Sequence, residues 1–191
     1  MAAKPNTSRY AVLGVLSLGP MTGYDIKKVI EGSIAHFWSE SYGQIYPILR
    51  TLAAERLAEQ RTERQRGKPD RRIYSLTTEG REELRRWLAV PARVETFRSE
   101  LLLKLFLGGA ADVAASVAQV VHFRAHQQVL HRTYGELERR LRHDMASHPE
   151  LPFWLMTLDF GQQRNRALLA WSDRTLKTLA RLRTRRRRAR R

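Results

Sequence analysis

The order of elements in residues 7–90 is the feature that most constrains this fold. Three short helical patterns are followed by a hairpin pattern and a fourth helical pattern, with only short connections between them. The third pattern, over Gly43–Arg56, contains Pro47, which has to lie in or near the first helical turn or kink the helix. Residues 65–70 combine Gly, Pro and Asp, which predicts the turn of the hairpin.

Capping signals support this division into helices. Thr22 followed by Asp25 is typical of a capping box at the start of the second helix. Thr77 or Thr78 caps the fourth helix. The element boundaries therefore follow from local signals as well as from the apolar spacing.

The third helix and the hairpin have the character of a nucleic-acid-binding surface. A helix fits the major groove, and a basic hairpin can contact phosphates or an adjacent minor groove. The order therefore favours a winged helix-turn-helix over a small α+β domain with a solvated charged hairpin. Residues 61–72 carry six basic side chains against two acidic ones: Arg61, Arg64, Arg66, Lys68, Arg71 and Arg72.

The second half of the chain has no strand pattern after residue 92. Apolar stripes predict two long helices, from Asp112 to about Met145 and from about Phe153 to Leu182. Such a hairpin leaves apolar surface that a partner subunit covers most simply. The sequence thus predicts a mainly α, dimeric protein with a small β-wing. Its predicted parts are a DNA-binding domain at 1–90, a helical dimerisation or effector domain at 91–182 and a disordered arginine-rich tail at 183–191.

The net charge of +16 is unevenly distributed. Residues 181–191 hold eight arginines and no acidic residue, which is half of the total. A block of like charges cannot bury a face, so we expect a disordered arm. It is either a solvated tail without a partner or a non-specific phosphate contact.

Several classes of protein are excluded or disfavoured by what the sequence lacks. It has no Cys, and it has no phosphate-binding glycine loop, nucleophile elbow or zinc-protease motif, so we expect neither an enzyme nor a cofactor. His122 and His126 are spaced i, i+4, but His131 lies on another side of the helix, so no metal site is predicted. There is no apolar run of membrane-spanning length and no secretory signal, which indicates a cytoplasmic protein.

Three stretches resemble the PadR family of bacterial transcriptional regulators. They are YAVLGVLSLGPMTGYDI, SYGQIYPILRTLAAERLAEQ and IYSLTTEGREELRRWL. The resemblance covers residues 9–90 closely, and residues 97–182 resemble the family's longer helical C-terminal region more loosely. The motifs are Thr22-Gly23-Tyr24-Asp25, Ile45-Tyr46-Pro47-x-Leu49 and Leu76-Thr77-x-x-Gly80. The basic C-terminal arm is not part of that pattern.

The resemblance implies a homodimer whose two winged helices read an inverted repeat in double-stranded DNA. It also implies a nucleoid-associated repressor of nearby genes, released by a small, often aromatic or drug-like, molecule. Tyr46 matches a characteristic Tyr of the family's recognition helix. The complete set of expected DNA contacts is Ser41, Tyr42, Gln44, Tyr46, Arg50, Arg66 and Lys68.

Alternatives remain for several of these residues and for the whole chain. Tyr42 can instead pack against the preceding helix, and Arg50 can be a solvated surface residue. Trp154 and Trp171 can line an aromatic effector pocket at the dimer interface or form part of that interface's core. An RNA-binding or ribosome-associated basic protein is the main rival function, and a purely structural adaptor is the third.

Overall fold

The computed structural model describes residues 7–35, 37–64, 67, 70–93 and 97–189, with the backbone alone for residues 186–189. Its elements, in chain order, are α1 (Thr7–Leu16), β1 (Met21–Thr22), α2 (Gly23–Ser33), α3 (Tyr42–Ala54), β2 (Ala58–Glu63), β3 (Arg71–Leu76), α4 (Thr78–Leu88), α5 (Glu100–Phe106), a single 3-10 turn (Gly108–Ala110), α6 (Val113–Asp144) and α7 (Leu151–Ala189). The predicted class, mainly helical with a small β-wing, is confirmed. The chain divides into two compact units, residues 1–94 and 95–191.

The N-terminal unit packs around one apolar core. α1 buries four apolar residues, because its sequence is apolar on nearly every side. Ile26 and Ile30 of α2 are buried in the core, and Val29 is half-buried beside them. The rest of the core comes from α3 and the sheet: Ile45, Ile48, Leu49, Leu52, Ala58, Tyr74 and Leu76.

The capping box at the start of α2 is confirmed. The hydroxyl of Thr22 accepts a hydrogen bond from the Asp25 N–H at 3.2 Å, and Asp25 Oδ2 accepts one from the Thr22 N–H at 3.1 Å. The Thr22 hydroxyl also donates to Asp25 Oδ2 at 2.6 Å, which lowers the pKa of that carboxyl. Arg71 of β3 lies 3.6 Å from the same carboxylate, so the start of α2 is tied to the hairpin.

The sheet has three antiparallel strands in the order β1-β3-β2. β2 and β3 form the predicted hairpin, with Ala58 opposite Leu76 and Glu63 opposite Arg71. β1 was not predicted, because two residues are too short to show an alternating pattern. It forms because the chain between α1 and α2 passes beside β3, where Met21 pairs with Tyr74.

Pro47 lies near the first turn of its helix, as its sequence position predicted. α3 begins at Tyr42, so Pro47 is in the second turn rather than the first. The missing N–H deprives the carbonyl of Gly43 of its partner within the helix. Both Gly43 and Pro47 are exposed, so water can take that bond. The start of α3 therefore faces solvent on the side where the helix lacks a hydrogen bond.

The start of α4 packs directly against the backbone segment that leads into β2. Thr77 caps the helix, and its hydroxyl accepts a hydrogen bond from the Gly80 N–H at 3.0 Å. The Thr77 N–H donates to the carbonyl of Leu57 at 3.2 Å. A Cβ on the buried Gly80 would overlap that same Leu57 carbonyl oxygen and lie 2.8 Å from Leu76 Cδ1. Only glycine allows this close approach of helix and backbone.

The C-terminal unit is built on the pairing of α6 with α7, and its two apolar clusters lie near opposite ends of the pair. One cluster joins Val113 and Val120 of α6 to Leu179 of α7. The other joins Tyr134 and Leu137 to Leu158, so the two helices run antiparallel. In the described part of the chain, no helix is both long enough and apolar enough to cross a membrane.

A buried polar contact separates these two clusters. Asn165 is 2% exposed, and its Nδ2 donates to both the backbone oxygen and the Oε1 of Gln127, each at 2.9 Å. Asn165 Oδ1 lies 3.2 Å from Nδ1 of His131. The polar position at Gln127, which interrupts the apolar stripe of α6, is therefore buried and paired across the hairpin.

The predicted disordered tail at 183–191 is corrected by the structure over most of its length. α7 continues without a break to Ala189, while residues 190 and 191 lie outside the described residues. The sequence contains neither Gly nor Pro after Gly161, and Arg is a good helix former. Positive charge at a helix C-terminus also interacts favourably with the helix dipole. These terms outweigh the repulsion between arginines that motivated the expectation of disorder.

Candidate nucleic-acid interface

The N-terminus of α3 is fixed by its own side chains. Ser41 is the N-cap residue, and Gln44 Oε1 accepts hydrogen bonds from both the Ser41 N–H and the Ser41 hydroxyl, each at 2.8 Å. The segment before the cap is held by Trp38, whose indole N–H donates to the buried Glu40 at 2.8 Å. The carboxamide oxygen of Gln44 is thus committed to the cap, which leaves its NH₂ group as the free end of the side chain.

Three tyrosines form a continuous exposed surface, named here the tyrosine surface, across α2 and the start of α3. Its members are Tyr24, Tyr42 and Tyr46. The ring centroids of Tyr24 and Tyr42 are 6.3 Å apart, as are those of Tyr42 and Tyr46, and both pairs are stacked. The three side chains remain 41–50% exposed. Tyr42 therefore packs on the preceding helix through Tyr24, which was one of the two alternatives, while its side chain remains partly exposed.

Two lysines of α2 flank the tyrosine surface. Lys28 Nζ lies 4.8 Å from the centroid of Tyr24, and Lys27 Nζ lies 6.0 Å from that of Tyr42. Lys27 is also paired with Glu31 at 2.9 Å, whereas Lys28 is exposed. Sequence reasoning missed Tyr24 and Lys28, because it confined the binding surface to α3 and the hairpin. The Thr22-Gly23-Tyr24-Asp25 motif was the signal that could have located Tyr24.

Gly23 sets the distance between the backbone of α2 and the ring of Tyr46. A Cβ at this buried position would lie 2.6 Å from Cε1 and 3.0 Å from Cζ of Tyr46. Such contacts are too short for real atoms, so any larger residue has to displace the ring. Tyr46 is held against the backbone of α2, and this is why its half-exposed ring keeps a defined position.

The basic residues of the hairpin do not share one face. The register places Arg61 opposite Ile73 and Thr62 opposite Arg72, so Arg61 and Arg72 point to opposite sides of the sheet. Arg71, on the same face as Arg61, is already paired with Asp25. Arg66 and Lys68, the contacts expected at the hairpin tip, lie outside the described residues. Arg50, one turn beyond Tyr46, is exposed on α3.

The two tryptophans of α7 do not form one common pocket within the chain. They lie seventeen residues apart on the same helix, which separates them by about 26 Å along its axis. The ring of Trp171 meets Phe123 edge to face at 5.9 Å, and that of Trp154 stacks on His148 at 4.4 Å. A shallow cavity of about 450 Å³ in the same unit is lined by other residues: Ala125, Gln128, Val129, His131, Arg132 and Leu169.

Comparison with known proteins identifies both units. The family described as "Transcriptional regulator PadR-like family" matches residues 12–86, and "Virulence activator alpha C-term" matches residues 97–180. The "Probable transcriptional regulator Rv1176c" of Mycobacterium tuberculosis is 31% identical over 141 residues, which cover 69% of this chain and 75% of that protein. The "Negative transcriptional regulator PadR" of Bacillus subtilis is 37% identical over 99 residues, which cover 51% of this chain and 54% of that one.

Solved structures match over nearly the whole chain. Bacillus subtilis PadR in complex with operator DNA superposes with a TM-score of 0.80 at 26% identity, covering 91% of this chain and 99% of that one. The Vibrio cholerae virulence activator AphA gives a TM-score of 0.73 at 26% identity, covering 91% and 98%. The chain folds as a winged helix-turn-helix with the expected motifs, and relatives match most of its length in sequence and structure. It therefore belongs to the PadR-like family of transcriptional regulators, whose members are not enzymes.

Proposed function

We propose that this regulator is a homodimeric repressor that binds an inverted-repeat operator near the genes it controls and is released by a small molecule. The observation that carries the DNA-binding part is the tyrosine surface, which is exposed and lies beside Lys28 at the start of α3. The relative with operator DNA in its structure and the relative named a negative regulator support this proposal. Bound to its operator, the protein is associated with the nucleoid in the cytoplasm.

The N-terminal end of α3 enters the major groove in this proposal. Tyrosine hydroxyls can bond phosphates or base edges, and the neighbouring lysine neutralises phosphate charge. Arg50 contacts phosphate one turn further along the helix, and Arg66 and Lys68 contact phosphate or the minor groove from the hairpin tip. The contacts from α2 and α3 are Tyr24, Lys28, Ser41, Tyr42, Gln44, Tyr46 and Arg50.

Gln44 acts in this arrangement as a donor. A bidentate contact to adenine needs both the oxygen and the NH₂ of a glutamine. Because Oε1 of Gln44 already accepts two hydrogen bonds from Ser41, the group offered to DNA is the NH₂. Its partners are the acceptor atoms of the major groove, such as O6 and N7 of guanine.

The variant Gln44→Glu is expected to remain folded and to lose discrimination at one base-pair position. A carboxylate can still accept both bonds from Ser41, but it has no NH₂ to donate and it repels DNA. The matched variant Gln44→Ala also loses the cap and is expected to lower the free energy of unfolding by about 1 kcal/mol. Fluorescence anisotropy against single-base-pair operator variants measures the discrimination, and urea unfolding measures the cap. If Gln44→Glu discriminates between the operator variants as well as wild type does, Gln44 does not contact a base.

Gly23→Ala is expected to weaken operator binding while the N-terminal unit stays folded. The added methyl group displaces the ring of Tyr46, and that ring can move because Tyr46 is 43% exposed. We expect a loss of roughly tenfold in operator affinity, which corresponds to about 1.4 kcal/mol. Gly32→Ala, with no described atom within 4 Å of its Cβ, is the matched control on the same helix. Equal operator affinity of the two variants would contradict the role given to Tyr46.

Homodimerisation is supported by apolar side chains that the single chain leaves exposed. On α5, Phe106 is 86% exposed and Leu103 is 59% exposed. On α7, Phe153, Met156 and Phe160 follow one another at i, i+3 and i+7 with exposures of 59–64%, which makes one apolar stripe. A second copy of the chain covers such surface most economically. Sedimentation equilibrium measures the resulting mass.

The effector is proposed to be a small molecule, often aromatic or drug-like. The shallow cavity beside His131, Arg132 and Leu169 offers apolar and cationic groups together. p-Coumaric acid, with which Bacillus subtilis PadR has been crystallised, is a suitable first probe. Release of operator DNA by a ligand, followed by anisotropy, is the readout.

One competition experiment tests the DNA-binding function itself. Labelled duplex DNA from the region upstream of the regulated genes, carrying an inverted repeat, is challenged with random duplex and with structured RNA at near-physiological salt. We expect the operator to be preferred over both competitors. Equal affinity for structured RNA would favour an RNA-binding protein, and the absence of salt-dependent DNA binding would favour a structural adaptor.

A further inference from the structure

The last turns of α7 are rich in arginine. Residues 181–191, named here the arginine segment, contain eight arginines and no acidic residue. The backbone is helical to Ala189, and Arg181, Arg183 and Arg185 are exposed. Successive residues are about 100° apart around a helix, so these arginines are distributed around it rather than along one face.

The arginine segment extends beyond the helix that supports α7. Leu179 is the last buried apolar residue, and it packs on Val113, the first residue of α6. Leu182, one turn later, is already 42% exposed. From Leu179 to Ala189 the helix rises by about 15 Å. The segment is therefore a helical projection that α6 does not accompany.

The arginines of this projection whose side chains are described have no acidic partner among the described residues. Some other basic residues of the unit do form ion pairs, as in Arg124–Asp173 at 2.7 Å and Arg142–Glu138 at 2.9 Å. Within the described part of the chain, no ion pair involves Arg181, Arg183 or Arg185. Like charges three and four residues apart repel one another, so an external polyanion would relieve repulsion as well as gain contacts.

The polyanion that fits this segment is nucleic acid rather than a membrane surface. A helix that lies on a membrane needs an apolar face, and after Leu182 the segment has only Thr184 and Ala189 besides arginine. Guanidinium groups bind phosphate oxygens in bidentate fashion, and arginines on more than one side of a helix match phosphates on both walls of a groove. Because the proposed function already brings duplex DNA to this protein, the partner is that DNA.

We propose that the arginine segment is a second, sequence-independent DNA-binding element that contacts phosphates. This inference rests on the proposed DNA-binding function and adds to it. The segment contributes affinity and salt dependence to every duplex alike, whereas the tyrosine surface and α3 supply sequence preference. Removal of the segment therefore lowers affinity for operator and random DNA by the same factor.

Paired charge-removing variants of the full-length chain test this proposal. The first is Arg183→Gln with Arg185→Gln, which keeps good helix formers in the segment. The control is Arg139→Gln with Arg140→Gln, which removes the same charge from exposed positions of α6. Binding to operator and to random duplex of equal length is measured by anisotropy at several salt concentrations, with circular dichroism as a check of folding.

The expected result is a smaller salt dependence for the first variant only. The slope of log K against log salt falls by about 0.9 for each phosphate that the protein no longer neutralises, so by roughly 2 for the pair. The operator-to-random affinity ratio stays at the wild-type value. A slope equal to that of the control pair would overturn the proposal, as would a variant that binds DNA like wild type but binds vesicles of anionic phospholipid more weakly. Failure of wild type to prefer operator over random duplex would instead contradict the proposed function.

Discussion

Replacing Gly80 by alanine is expected to unfold the N-terminal unit or to lower its free energy of unfolding by at least about 3 kcal/mol. The new Cβ would overlap the carbonyl oxygen of Leu57, which is backbone and not the end of a flexible side chain. That backbone cannot move freely, because the Leu57 carbonyl accepts from Thr77 at 3.2 Å and the Leu57 N–H donates to Leu52 at 2.9 Å. Overpacking against a held backbone lies at the upper end of the usual cost.

Gly14→Ala is the matched control for this result. Gly14 lies within α1, and no described atom is within 4 Å of a Cβ built there. Alanine in a helix is favoured over glycine by about 0.5–1 kcal/mol, so this variant is expected to be slightly stabilised. Urea unfolding followed by circular dichroism compares the two variants. If both unfold at the same urea concentration, α4 does not need glycine at its contact with Leu57.

Asn165→Ala is expected to lower the free energy of unfolding of the C-terminal unit by about 3 kcal/mol. The substitution removes the NH₂ group that donates to Gln127 and leaves the buried Gln127 Oε1 without that donor. An unsatisfied buried polar group costs about 1–3 kcal/mol, and the space left by the side chain adds to this. The exposed neighbour Gln163→Ala serves as control and is expected to change stability by less than about 0.5 kcal/mol.

A double variant separates the polar contact from packing in general. When Asn165 and Gln127 are both replaced by leucine, neither partner is left unsatisfied, and most of the stability is expected to return. A double variant as unstable as Asn165→Ala would mean that packing volume, and not the hydrogen bonds, accounts for the destabilisation. A buried polar pair in a helical hairpin also favours the register in which it is satisfied. Urea unfolding of the single and double variants provides both measurements.

The family motifs could be recognised in the sequence, but the sequence did not show why two of them need a glycine. Thr22 with Asp25 predicted a cap, and the cap is present with both reciprocal hydrogen bonds. Gly23 and Gly80 had no local reason in the sequence. Each is required by a contact with a residue distant in sequence, the ring of Tyr46 in one case and the Leu57 carbonyl in the other.

The DNA-contacting role of the candidate site stays a prediction, and the structure shows which further side chains lie beside its residues. Tyr42, Gln44 and Tyr46 were identified on α3, whereas Tyr24 was missed because it lies on a different helix, eighteen residues before Tyr42. Gln44 was expected to contact DNA, and the structure adds that its oxygen is committed to the cap while its NH₂ is not. A hydrogen-bond commitment of this kind depends on the rotamer, which sequence patterns do not specify.

By itself, the sequence determined what depends on neighbouring residues: the helices, their caps, the hairpin and the concentration of charge in the last eleven residues. These features follow from apolar spacing, turn chemistry and composition, which act over a few positions of the chain. Only the tertiary structure decided the tyrosine surface, the pairing of Asn165 with Gln127 and the strand β1. The physical reason is that each of these depends on contacts between residues far apart in the chain, which local patterns do not reveal.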